Sequence, residues 1–102
     1  MQGDYSYMHI QEFQKMMQRL YFHRDSERGL KGTFNWLMEE VEELREALEK
    51  GDRKEVEREF ADVIAWLSSL ANIVGVDLEK AALAKYQNRC PKCRKTPCAC
   101  TF

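Results

Sequence analysis

From Phe60 to Val74 the chain is apolar on nearly every side of a helix. Such a helix has to be covered by neighbours on more than one side. A chain of 102 residues has room for one small domain. The cover therefore comes from a compact bundle, from a second subunit, or from both. This segment predicts an all-α architecture before any other part of the chain is read.

The rest of the sequence agrees. Ile10, Phe13, Met17 and Leu20, widened by Met16 and Tyr21, recur at helical spacing and predict a first helix over 8–24. The polar, glycine-bearing stretch from Asp25 to Gly32 reads as a connection. Thr33 is placed to cap a second helix, whose stripe is Phe34, Leu37, Val41, Leu44 and Leu48. Gly51 stops it. Asp52 and Glu55 have capping-box spacing at the head of a third helix over 52–74. Gly75 ends that helix, and Asp77 opens a fourth, to about Asn88. Four helices with short loops predict a four-helix bundle over residues 1–89. A cysteine-rich tail over 90–102 follows.

Composition sets limits on function. Acids number 17 and bases 16, for a net charge of −1, which disfavours a general electrostatic hold on nucleic acid or on a membrane surface. No apolar run approaches the ~20 residues of a membrane span. Met1 to Tyr7 carries Asp4 and no base, so it does not read as a secretory signal. A cytoplasmic protein is the expectation. Because the bundle is too short to cover its own third helix, a homodimer or a tetramer is expected, with active sites near subunit interfaces.

Charge is not spread evenly. Residues 39–62 hold eleven acids against five bases. Glu40 and Glu43, three apart, share one side of the second helix, and Glu59 and Asp62 do the same on the third. The tight turn at Gly51-Asp52 makes the two helices antiparallel, so four carboxylates converge. Like charges gathered in this way repel one another unless a cation sits among them, and hard oxygen donors suit Mg²⁺ or Mn²⁺. A solvated acidic face is the plainer reading. Asp62 argues against it: it shares a helical sector with Trp66, Ser69 and Ile73 amid apolar neighbours, and burying an unpaired carboxylate is strongly unfavourable.

Glu39-Glu40-Val41-Glu42-Glu43, followed after sixteen residues by Glu59-Phe60-Ala61-Asp62, resembles the EExxE…ExxD signature of MazG-like nucleoside triphosphate pyrophosphohydrolases. Gly75-Val76-Asp77-Leu78-Glu79 and Lys85-Tyr86-Gln87-Asn88-Arg89 extend the resemblance over residues 8–89. It implies a four-helix MazG-like fold. It also implies Mg²⁺-dependent hydrolysis of a nucleoside triphosphate to a monophosphate and pyrophosphate, as in nucleotide-pool housecleaning. By the same resemblance Glu40, Glu43, Glu59 and Asp62 match the metal-binding carboxylates. Glu39 matches the first acid, which positions water or a second metal. Lys85 and Asn88 match positions that contact phosphate or sugar. A Glu not fully used by metal, Glu40 or Glu39, is a candidate base. Trp66, one turn beyond Asp62, is a candidate pocket wall as well as a core residue. Lys31, Arg53, Lys54, Lys85 and Arg89 are the cations considered for the leaving pyrophosphate.

The tail departs from the resemblance. Cys90, Cys93, Cys98 and Cys100 are spaced CxxC-x4-CxC, which suits a zinc knuckle whose four thiolates close around one ion. Free thiols and disulfides are the competing states. Two further functions stay open at this level. One is a non-catalytic nucleotide- or metal-binding helical module. The other is nucleic-acid or protein binding through the basic, cysteine-rich tail.

Overall fold

The computed structural model describes residues 8–101. Among them there is no strand, and the helices are α1 (Ile10–Lys50), α2 (Arg53–Val74) and α3 (Leu78–Lys85). The chain is all-α, as the periodicity requires. α1 and α2 form an antiparallel pair about the turn at Gly51-Asp52, and α3 turns back against the start of α1.

The four expected helical stretches are present, but the first two are joined differently. Residues 25–32 are helical rather than a loop. The only break is Gly29, at φ 82° and ψ 174°, a backbone conformation that a side chain makes costly. α1 is thus two helical arms meeting at a single-residue kink. Thr33 is not a cap. It is fully buried, and its Oγ1 accepts a hydrogen bond from Arg28, on the other side of the kink, at 3.2 Å.

The other boundaries follow their local chemistry. Gly51 is left-handed at φ 79° and closes α1. The Asp52 side chain accepts from the N–H groups of Lys54 and Glu55. Asp77 accepts from Lys80 N–H at 3.0 Å at the head of α3, and that bond is the largest cause holding its carboxyl below the usual range. α3 ends at Lys85, one turn before the expected Asn88. Gln14 joins the three helices: its amide donates to Asn72 Oδ1 at 3.0 Å and to the Val76 carbonyl at 2.7 Å, and its oxygen accepts from Leu78 N–H at 2.9 Å.

Little apolar surface is covered by the single chain. Among the described residues the buried apolar side chains are Met17, Leu37, Ala47 and Ala71. Of the expected stripe on the second arm of α1, Phe34, Val41 and Leu48 are exposed. On α2, Phe60, Ile64 and Leu67 are exposed at i, i+4 and i+7, while the buried face holds the small residues Ser68, Ser69 and Ala71. Small side chains let α1 approach closely on that side. No single helix among the described residues is long and apolar enough to cross a membrane.

Candidate functional site

Two neighbouring features lie between α1 and α2. The first is a carboxylate cluster. Glu40 and Glu43 of α1 and Glu59 of α2 each offer an oxygen within 4.8 Å of the others. Antiparallel pairing puts the two i, i+3 pairs opposite each other. Glu40 Oε1 and Glu59 Oε1 are buried and have no hydrogen-bond partner. Burial, followed by the charges of Glu43, Asp62 and Glu59, pushes the Glu40 carboxyl from the ordinary 4.5 to about 7. Burial and the charges of Glu43 and Asp62 also raise Glu59. The buried, unpartnered oxygens of Glu40 and Glu59, with an oxygen of the exposed Glu43, form a donor set that fits a hard divalent cation.

Asp62 stands beside this cluster but is not buried. Its helical sector, shared with Trp66 and Ser69 as the wheel indicates, opens on a cavity instead of packing against apolar neighbours. This corrects the expectation of a buried Asp62. It also makes Asp62 the residue that joins the cluster to the cavity.

The second feature is that cavity, about 280 Å³, lined by Asp62, Ala65, Trp66 and Ser69 of α2 and by Met17, Tyr21, Arg24, Asp25 and Arg28 of α1. Trp36 stacks on Trp66 with centroids 5.7 Å apart and planes 14° from parallel. The Arg28 guanidinium lies 4.7 Å from the Trp66 ring centroid and pairs with Asp25 at 2.8 Å. Asp25 is 2% exposed, and its Oδ2 has no partner.

Asp25 and Arg28 were not singled out in the sequence, because residues 25–32 read as a loop; Arg24 was placed at the end of the first helix without a role at the site. The signal was present: Met17, Tyr21, Arg24 and Arg28 continue the helical spacing of the first stripe through that supposed loop. Of the cations considered for phosphate, Lys31, Arg53, Lys54, Lys85 and Arg89 do not line the cavity. Arg53 instead pairs with Glu57 on the surface.

The remaining site candidates lie elsewhere. Glu39 lines an open groove with Gly32, Asn35, Trp36, Met38 and Glu42. Lys85 ends α3 with its ammonium 5.7 Å from the Tyr86 ring centroid. With Arg89 and Arg94 it lines a pocket of about 240 Å³. Asn88 is left-handed at φ 62°, and its carbonyl accepts from Thr96 Oγ1.

In the tail, Cys90, Cys93, Cys98 and Cys100 bring one sulfur each within 4.8 Å of the others. Backbone N–H groups of Cys93 and Lys92 pull the Cys90 thiol down to about 6. Cys98 and its other sulfur neighbours push Cys100 up to about 11. His9 and His23 are exposed and belong to neither cluster.

The fold is thus an all-α antiparallel helical pair with opposed ExxE and ExxD motifs, next to a cavity lined by tryptophan and arginine. The family model of the MazG nucleotide pyrophosphohydrolase domain matches residues 28–94, about two thirds of the chain. The chain belongs to the MazG nucleotide pyrophosphohydrolase family. No curated protein matches it significantly.

Proposed function

We propose that this protein hydrolyses a nucleoside triphosphate to the monophosphate and pyrophosphate, with Mg²⁺ or Mn²⁺ held by Glu40, Glu43 and Glu59 and assisted by Asp62. The observation that carries this reading is the pair of buried, unpartnered oxygens on Glu40 and Glu59, in a cluster beside Asp62, which lines the cavity. When bound there, the ion neutralises phosphate charge, polarises the phosphoryl oxygen and lowers the pKa of a water.

The chain's own groups do the rest. Arg24 and Arg28 line the cavity and offset charge on the phosphates. Trp66, braced by Trp36, offers an aromatic surface to a base. Asp25 fixes Arg28 by their ion pair and keeps its second oxygen as an acceptor for an N–H edge. Glu40, where it is not fully used by the metal, takes a proton from the attacking water. Lys85 and Asn88 belong to this reading by family position, and so does Glu39, as the acid that positions water or a second metal.

A second copy of the chain completes the bundle in this reading. The exposed rows Phe34-Val41-Leu48 and Phe60-Ile64-Leu67 lie on the two helices that carry the cluster. Burying them against a twofold mate removes apolar surface from water. The cytoplasm is the compartment this reading assigns.

The test is hydrolysis in ¹⁸O-labelled water over a panel of standard and modified triphosphates. The reading expects label in the monophosphate, with unlabelled pyrophosphate. Label in inorganic phosphate, or binding without turnover, overturns it in favour of a γ-phosphatase or of a non-catalytic module.

A further inference from the structure

In residues 86–101 every residue is exposed except Cys90, Cys93 and Cys100, which are half-buried. No apolar side chain in this stretch is buried, yet its backbone follows a defined course. Cys90 N–H donates to the Lys95 carbonyl at 3.0 Å, and Arg94 N–H donates to the Cys90 carbonyl at 2.7 Å. These bonds close a turn around the first cysteine pair, with Arg94 left-handed at φ 62°. What this turn and the second cysteine pair share is sulfur.

The sulfur geometry identifies the chemistry. Cys90 Sγ and Cys100 Sγ are 3.6 Å apart. A disulfide requires about 2.05 Å. Metal–sulfur bonds of about 2.3 Å in a tetrahedron put sulfurs roughly 3.8 Å apart. Two backbone donors point at sulfur, Ala99 N–H to Cys93 Sγ and Cys100 N–H to Cys98 Sγ, each at 3.3 Å. N–H donors of this kind support thiolates over thiols. Soft sulfur donors select zinc over the hard cations suited to the glutamates.

We propose that Cys90, Cys93, Cys98 and Cys100 bind one structural Zn²⁺, and that this ion folds residues 88–100 into a knuckle holding Arg89 and Arg94 beside Lys85. Binding releases the thiol protons to solvent and changes no oxidation state. Four protein thiolates leave no open position, so the ion takes no part in hydrolysis. Its effect passes through the backbone. The Thr96 hydroxyl, between the two cysteine pairs, donates to the Asn88 carbonyl. Pro91 and Arg94 from the cysteine turn line the same pocket as Ala84 and Lys85 of α3. None of Lys85, Arg89 and Arg94 pairs with a carboxylate among the described residues. The knuckle therefore gathers three cations at the end of α3. This inference does not rest on the proposed hydrolase activity.

The test is elemental analysis of the full chain, purified with reductant and supplied with Zn²⁺. It compares the parent, a Cys93→Ser/Cys98→Ser variant and Glu43→Gln. The expected result is one zinc per chain in the parent and in Glu43→Gln, and at least roughly tenfold less in the cysteine variant. Helical circular dichroism of the cysteine variant should stay close to the parent's. Co²⁺ in place of Zn²⁺ should give intense tetrahedral bands with sulfur charge transfer. In amide spectra, Arg89 and Arg94 should move to random-coil positions on chelation. A parent without zinc, zinc kept by the cysteine variant but lost in Glu43→Gln, or weak octahedral cobalt bands overturns the site. Arg89 and Arg94 amides unmoved by chelation overturn the positioning role.

Discussion

Replacing Glu40 by Gln should make the metal-free protein more stable while removing its activity. The carboxyl of Glu40 lies at about 7 in the fold, against an ordinary 4.5. Its charged form is therefore disfavoured by folding at every pH above 7. At about 1.4 kcal/mol per pH unit the difference corresponds to roughly 3 kcal/mol. Partial solvent access and screening reduce this to roughly 1–2 kcal/mol. For a chain of this size that is roughly 5–15 °C in melting temperature. The sign is fixed by the direction of the shift. For an acid raised in the fold, the cost is fully present above the folded value and fades as pH falls toward the unfolded one. The assay is thermal unfolding of both proteins in excess chelator at pH 8 and at pH 5. Glu40→Gln should melt higher at pH 8, and the gap should shrink at pH 5, where the parent's own carboxyl holds a proton. Mg²⁺ should raise the parent's melting point by mass action and the variant's by much less. A variant that melts at or below the parent at pH 8 in chelator would refute the claim that burial and neighbouring charges disfavour the Glu40 carboxylate in the fold. So would a gap that does not change with pH.

Other substitutions probe the cavity and the kink. Arg28→Ala leaves Asp25 buried and uncompensated and should cost about 3–5 kcal/mol in chemical denaturation; Arg28→Ala/Asp25→Ala should cost clearly less than the sum of the two single changes. Gly29→Ala forces a side chain into φ 82°, ψ 174° and should cost about 1–3 kcal/mol by the same assay. Trp66→Ala removes the aromatic wall; the Michaelis constant for triphosphate should rise about tenfold or more, with a smaller change in kcat. Phe60→Glu places charge in the exposed row of α2. In light scattering it should convert a dimer to monomer, and an unchanged mass would count against that row as the interface.

Helices were legible because their signals are local. The stop at Gly51, the cap at Asp52 and the turn at Gly75-Asp77 depend on neighbours in sequence. The opposed acid pairs were legible for the same reason, since i, i+3 spacing and one tight turn determine which faces meet. The kink was not. A Gly in a polar stretch reads as a loop, and whether the flanking residues stay helical depends on contacts across the chain. Here those contacts come from Arg28, which reaches Thr33, Asp25 and Trp66 together. Misreading that stretch hid Asp25 and Arg28 in the cavity wall. Asp62 was misjudged for a related reason: helix periodicity gives the sector of a residue but not whether that sector meets a neighbour or a cavity.

The most direct test of the account is Mg²⁺-dependent pyrophosphate release from a panel of nucleoside triphosphates by the parent and by Asp62→Asn. Asp62 lines the cavity and its charge acts on Glu40 and Glu59 of the cluster, so one substitution examines their connection. The account predicts pyrophosphate with equimolar monophosphate from at least one triphosphate. It also predicts loss of that activity in a folded Asp62→Asn variant. Folded parent that releases no pyrophosphate from any triphosphate, with Mn²⁺ also supplied, would contradict it. So would full activity in Asp62→Asn.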